Sequence, residues 1–139
     1  MAFEENKVIA HQFTEAHNLR NIDKLRNLLS SGFVSHISDR VEPLDCEYYL
    51  QAIEATFEAF SDLTFTIDDV IAEGEKVVLR LTARGQHTGE YYGISPTGRQ
   101  IAFSGIVIRR IADGKVAEEW QTNDQLSLIR QIGLKVKDA

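Results

Sequence analysis

One cysteine, Cys46, stands in the 139 residues of this chain. A single thiol closes no disulfide within the chain, and it excludes a cysteine-rich metal site. Cys46 falls in the first turn of a predicted helix, where a helix N-terminus can lower a thiol pKa; the plainer expectation is a structural cysteine. No run approaches the roughly 20 apolar residues of a membrane span. The first residues, Met1-Ala-Phe-Glu-Glu-Asn6, lack the basic stretch and apolar run of a signal peptide, so the expected location is the cytoplasm. Positive charge is also short: 15 Lys and Arg against 21 Asp and Glu give a net charge of −6. Such a surface repels phosphate backbones, and Arg109-Arg110 is too short a basic run to override it. Neither nucleic acid nor membrane is an expected partner.

Several chemical signatures are missing as well. The four histidines include no helical pair with a catalytic Glu and no His-x-His run, so no metal site is expected. Residues 92–98 form a Pro-Thr-Gly turn rather than a phosphate-binding loop, and no Gly-x-Ser-x-Gly elbow is present. Nucleotide hydrolysis and serine nucleophile chemistry drop out. No repeat, low-complexity stretch or linker divides the chain, which reads as one domain over residues 1–139. Hydrophobic residues at 43% and charged residues at 26% argue against disorder. A domain of this length buries roughly two-thirds of its unfolded surface, which leaves room for a core and a ligand cavity.

What is present begins with helical periodicity. Ile9, Phe13 and Ala16 recur at spacings of four and three, with charged and polar residues between them. Asn18 to Asn21 interrupts this helix; a second carries Ile22, Leu25, Leu28 and Leu29, with Gly32 as its expected stop. Phe33 to Ile37 reads as a short strand and residues 38–43 as a polar loop. A third helix starts at Asp45 as N-cap, with Tyr49, Ile53, Phe57 and Phe60 as its buried stripe. After Ser61-Asp62 the period changes to two. Strands follow over residues 63–71, 77–87, 99–112 and 115–122, with Asp113-Gly114 as a two-residue hairpin turn. A short helix over residues 125–132 ends at Gly133. Helices first and strands afterwards predict an α+β fold with a curved, mostly antiparallel sheet. The N-terminal helices cover its concave face and leave a pocket open at one end.

Candidate chemistry concentrates in the last strand. Regular alternation puts Val116, Glu118, Trp120, Thr122 and Asp124 on one face, which reads as a cavity wall rather than a packed core. A carboxylate in a partly apolar pocket acts as a general acid or base when its pKa rises toward the working pH. Asp124 also fits the N-cap of the last helix, and one residue can serve both roles. His87, at a strand end in Gly85-Gln-His-Thr-Gly89, is suited to moving protons near neutral pH or is simply a hydrogen-bonded strand-end residue. His36 either lines the same cavity or is a satisfied core histidine. His11 and His17, on the first helix, are expected to be solvated. Phe13, Tyr49, Phe57, Phe60, Tyr91 and Trp120 either converge on the pocket or pack the core.

Several motifs stand in a shared order. The stretch His87-Thr-Gly-Glu-Tyr-Tyr-Gly-Ile-Ser-Pro-Thr-Gly-Arg99 precedes Phe103-Ser-Gly-Ile-Val-Ile-Arg109. Asp113-Gly-Lys-Val-Ala-Glu-Glu-Trp120, Asp124 and Gln131-Ile-Gly133 follow. This pattern resembles the SnoaL-like polyketide cyclases (ester cyclases) of the nuclear-transport-factor-like, cystatin-like superfamily. The resemblance implies a cone-shaped α+β fold, no cofactor, and intramolecular aldol closure of a hydrophobic polyketide substrate. It assigns the general acid/base to Asp124, places His87 near the substrate carbonyls, and matches His36 and Trp120 to pocket positions. Tyr49, Phe57, Tyr91 and Arg109 are the remaining candidates for substrate contact. The same cone hosts isomerases, dehydratases, epoxide hydrolases and non-catalytic binding modules. An epoxide hydrolase would want an Asp-Arg-Asp set, to which Arg109 and Asp124 could contribute. Apolar residues on both faces of residues 99–112 predict that a homodimer, or a tetramer, covers the outer face of the sheet.

Overall fold

A computed structural model of the chain describes residues 2–133; Met1 and residues 134–139, which the sequence reading counts within the same domain, lie outside the described residues. Helix α1 spans Ala2–Asn18 and buries Ala10, Phe13, Thr14, Ala16 and His17, one continuous stripe at helical spacing. The side chain of its last residue, Asn18, both donates to the Phe65 carbonyl and accepts from the Phe65 N–H, pinning the helix end to the sheet. The burial of His17 corrects the expectation of a solvated side chain: it lies on the same stripe as Phe13, not on the charged face.

Helix α2 spans Ile22–Leu28, with the Asn21 side chain accepting from Lys24 N–H at its start. It ends at Leu29, whose backbone is already extended, and strand β1 runs Leu29–Ile37. Gly32 therefore lies inside a strand and does not stop the helix. Pairing of Leu29 with Val116 overrides the local helical pattern. A two-residue strand β2, Leu44–Asp45, leads into α3, Cys46–Ala59, whose N-cap is Asp45 accepting from Tyr48 N–H. Burial, followed by the neighbouring Glu47 charge, raises the Cys46 thiol pKa, so the helix start does not activate it.

Strands β3 (Thr64–Glu73), β4 (Lys76–Gln86), β5 (Gln100–Ala112) and β6 (Lys115–Asn123) follow, then α4, Gln125–Gln131. The six strands form one curved, unclosed sheet in the order β2-β1-β6-β5-β4-β3. All neighbours are antiparallel except β1 and β6. The turn from β5 to β6 uses Asp113 and Gly114 with φ of 52° and 75°, the pair of left-handed residues that a type I′ hairpin requires.

Alternation decides what each strand shows the helices. Val77, Leu79, Leu81 and Ala83 of β4 point inward with Val107, Arg109 and Ile111 of β5, all buried. Phe13, Leu25, Phe33, Tyr49, Leu50 and Ile53 close the core from the helices and β1. Each such fully buried side chain contributes roughly 1.5–3 kcal/mol of transfer free energy. A second cluster, with Phe60, Leu63, Ala83, Ile101, Leu128 and Ile132, sits toward the other end of the sheet. Among the described residues no helix is long and apolar enough to cross a membrane.

Candidate active-site cavity

Strand β6 does not alternate regularly. Arg110 pairs with Glu118, but Ile111 pairs with Val116, so Ala117 is an extra residue opposite no partner on β5. Val116 points into the core, yet beyond the bulge the phase reverses: Glu119, Gln121 and Asn123 face the helices, while Glu118, Trp120 and Thr122 face outward. This corrects the face assigned from alternation alone. The polar ladder of the cavity wall is 119-121-123.

That ladder is fully engaged at its base. Glu119 is completely buried, and each of its carboxylate oxygens accepts two hydrogen bonds. Oε1 takes Ser35 Oγ at 3.1 Å and Gln121 Nε2 at 2.7 Å. Oε2 takes Tyr49 Oη at 3.1 Å and Arg109 Nε at 3.2 Å. A carboxylate only accepts, so Gln121 must turn its amide nitrogen to Glu119; its oxygen then accepts Asn123 Nδ2 at 3.0 Å. Gly105 faces Asn123 across the sheet, and a Cβ there would fall on the Asn123 side-chain oxygen. Arg109 is anchored further by Nη1, which donates to the Ala10 carbonyl and to Thr14 Oγ1. Its guanidinium lies 4.6 Å from the centre of the Phe13 ring.

Above this base opens a cavity of about 140 Å³. Tyr49, Phe57, Phe60, Phe65 and Tyr91 supply aromatic wall; Arg109, His17, Thr14, Gln121 and Asn123 supply the polar positions. A polar vestibule of about 250 Å³ adjoins it and shares Tyr91, Gln121, Asn123 and Gln125, with Asp39, Arg40 and Glu90 around it. Tyr91 closes one side, held by Gln125 Nε2 donating to its hydroxyl; burial is the main reason its pKa rises to about 12. Burial first, then the Glu119 charge, raises the Tyr49 phenol well above its ordinary value, so it stays a donor. Burial also lowers His17 to about 3, with Arg109 and Arg20 adding to the shift. Its imidazole is neutral at physiological pH.

The geometry gathers some of the sequence candidates and separates others. Tyr49, Phe57, Tyr91 and Arg109 line the cavity. His87 is fully buried one layer away, its ring 5.4 Å from that of Phe60. Its Nδ1 accepts the Thr97 N–H at 3.2 Å, which puts the ring proton on Nε2. That Nε2 is the buried side-chain polar atom without a partner among the described residues. Asp124 is exposed; its carboxylate accepts from Ser127 N–H at 3.1 Å and caps α4, between the wall residues Asn123 and Gln125. It makes no contact with Arg109, whose acidic partner is Glu119, so the Asp-Arg-Asp arrangement does not form on these residues. His36 and Trp120 stack on each other at 5.4 Å on the outer face, away from the cavity. There His36 Nε2 lies 2.7 Å from Glu118, and this hydrogen bond is the main cause holding the Glu118 carboxyl below its ordinary pKa. Glu119, Gln121, Asn123 and His17 were absent from the sequence candidates. An alternating Glu-x-Gln-x-Asn run was legible, but the bulge concealed its direction.

The family model for SnoaL-like polyketide cyclases matches residues 7–132. The chain belongs to this family. Aklanonic acid methyl ester cyclase DauD of Streptomyces sp. strain C5 is 28% identical over 131 residues, covering 90% of this chain and 80% of DauD. DnrD of Streptomyces peucetius, likewise an aklanonic acid methyl ester cyclase, is 27% identical over 131 residues, covering 90% of this chain and 88% of DnrD. Among solved structures, IdmH of Streptomyces antibioticus, a proposed polyketide cyclase, superposes with a TM-score of 0.82 at 29% identity, covering 93% of this chain and 99% of its own. AclR of Streptomyces galilaeus, a proposed hydroxylase, gives 0.87 at 26% identity with 94% and 97% covered. Proteins that share this fold thus differ in the activities ascribed to them.

Proposed function

We propose that this chain is a polyketide cyclase that closes a ring in a hydrophobic polyketide-like small molecule by proton transfer alone, without metal or cofactor. The observation that carries the reading is an aromatic-walled cavity whose closed end presents fixed polar groups, Tyr49, Arg109 and Gln121, all locked by Glu119. In an intramolecular aldol closure, a base removes a proton alpha to a carbonyl. The resulting enolate carbon attacks a second carbonyl, forming the C–C bond, and the proton returns to the new alkoxide. Negative charge moves between two oxygens, and preorganised donors in a low-dielectric cavity favour that movement. Asp124, flanked by two wall residues, is the acid/base that the family pattern nominates. His87 is the second residue the family pattern nominates; its unused Nε2–H is enclosed, so contact with a substrate carbonyl requires the packing around Phe60 to open. We propose further that the protein works as a cytoplasmic homodimer.

The decisive comparison is wild type against Asp124→Asn on a panel of aromatic polyketide methyl esters. Asn caps a helix as well as Asp, so the substitution removes the proton-transfer group and keeps the fold. Loss of ~10²–10⁴ in turnover with binding retained is the expected result. Unchanged turnover overturns the role of Asp124. The exposed, helix-capping position of Asp124 favours one second reading, a binding module of the same fold; binding without turnover by the wild type would establish it.

A further inference from the structure

We infer that His17 and Arg109 together read a hydroxyl group and a carbonyl on a neutral aromatic ligand at the closed end of the cavity. The inference rests on the cavity being the ligand site, and it gives a role to a histidine that no sequence motif singles out.

The argument follows the hydrogen-bond inventory. Tyr49 has one hydroxyl proton, and it is donated to Glu119. The 3.4 Å approach of His17 Nε2 to the same oxygen must then be a donation from the ring. His17 therefore carries its proton on Nε2, and Nδ1 bears a lone pair. Nδ1 makes no hydrogen bond among the described residues, yet it is not among the fully enclosed atoms lacking one. His17 lines the cavity, so that lone pair opens onto it. Rings of Phe13, Tyr49, Phe57 and Phe65 stand at steep angles around the imidazole and hold its orientation. Its depressed pKa keeps it unprotonated, an acceptor that a substrate O–H can satisfy.

Arg109 complements it. Nε and Nη1 are committed to Glu119, Ala10 and Thr14, whereas both N–H groups of Nη2 have no partner among the described residues. Both side chains pack on Phe13, His17 with ring centres 5.1 Å apart and Arg109 at 4.6 Å, and both line the same cavity. Glu119 already balances the guanidinium charge. A second anion would sit beside that carboxylate, whereas a neutral carbonyl oxygen meets only the two donors.

The test is calorimetric titration with 4-acetyl-2-naphthol, whose hydroxyl cannot reach its own carbonyl, its methyl ether, and 1-acetylnaphthalene. Wild type is expected to bind the naphthol about tenfold more tightly than the ether, since the ether leaves Nδ1 buried without a donor. His17→Phe, close in shape, should bind 1-acetylnaphthalene at least as tightly as wild type does, since no lone pair is left unsatisfied, and lose the preference for the naphthol. Equal affinity of wild type for naphthol and ether overturns this inference and leaves the cavity reading standing. A preference that survives in His17→Phe also overturns it. If wild type binds none of the three, the cavity reading itself falls, and this inference with it.

Discussion

Glu119 accepts as many hydrogen bonds as its two oxygens have lone pairs to offer. That makes it an unsuitable base and a strong anchor: protonating it would break at least one bond and strand the Arg109 charge. Removing one partner of a buried ion pair typically costs 3–5 kcal/mol, because the other charge is left without compensation. Glu119→Gln is therefore expected to lower stability in urea unfolding by about that amount. Combining Glu119→Gln with Arg109→Met, which removes the stranded charge and keeps an acceptor for Ser35, Tyr49 and Gln121, should recover part of the loss. A Glu119→Gln protein as stable as wild type would mean that the carboxylate does not organise the cavity base. Little of this cluster was legible in the sequence. Tyr49 and Arg109 stood out by residue type, and both reach the cavity. His17 did not, because a histidine near a helix end reads equally well as solvated until the stripe it shares with Phe13 is fixed by packing.

Element boundaries were easier to read than element faces. The N-cap at Asp45, the Asp113-Gly114 turn and the stop at Gly133 carry local chemistry, and the structure keeps all of them. The bulge at Ala117 carries none. It is imposed by two fixed ends, the tight turn that pairs Ala112 with Lys115 and the close approach of Gly105 to Asn123. Between them β6 has one residue more than its partner needs, and Ala117 is the residue that yields. Every side chain beyond it changes face, which is why a regular reading turned Trp120 inward. Deletion of Ala117 removes the extra residue and leaves Glu119 facing inward, so a cooperative fold should survive with a loss within the ordinary range of ~0.5–3 kcal/mol. Deleting Ala117 together with Glu118 would instead turn Glu119 and Gln121 outward and bury Trp120 against Tyr49. No cooperative unfolding is expected for that variant. Circular dichroism with urea titration distinguishes the two, and equal stability of both would show that the bulge does not set the face.

The whole molecule has a sheet that is apolar on both sides. Inward residues are covered by α1 and α3, but outward ones have no cover within the described residues. Register places Ile71 beside Val78, Val78 beside Ile108, Ile108 beside Trp120 and Trp120 beside His36, one row across five strands. Ile71 and Ile106 are 61% and 50% exposed. Ion pairs of Arg110 with Glu75 and Glu118, and of Arg80 with Asp68, are interspersed with this apolar row. Apolar positions with polar groups between them suit a second copy of the same surface, because a two-fold axis repeats each feature opposite its own complement. The same symmetry makes a single charge unusually disruptive. Ile106→Glu introduces two carboxylates into one interface, whereas in the isolated chain it alters a half-exposed side chain and should change stability little. Analytical ultracentrifugation is expected to show a dimer for wild type and a folded monomer for Ile106→Glu at the same concentration. A wild type that sediments as a monomer over the micromolar range would remove the sheet as an interface and leave the cavity, which lies on the other face, unaffected.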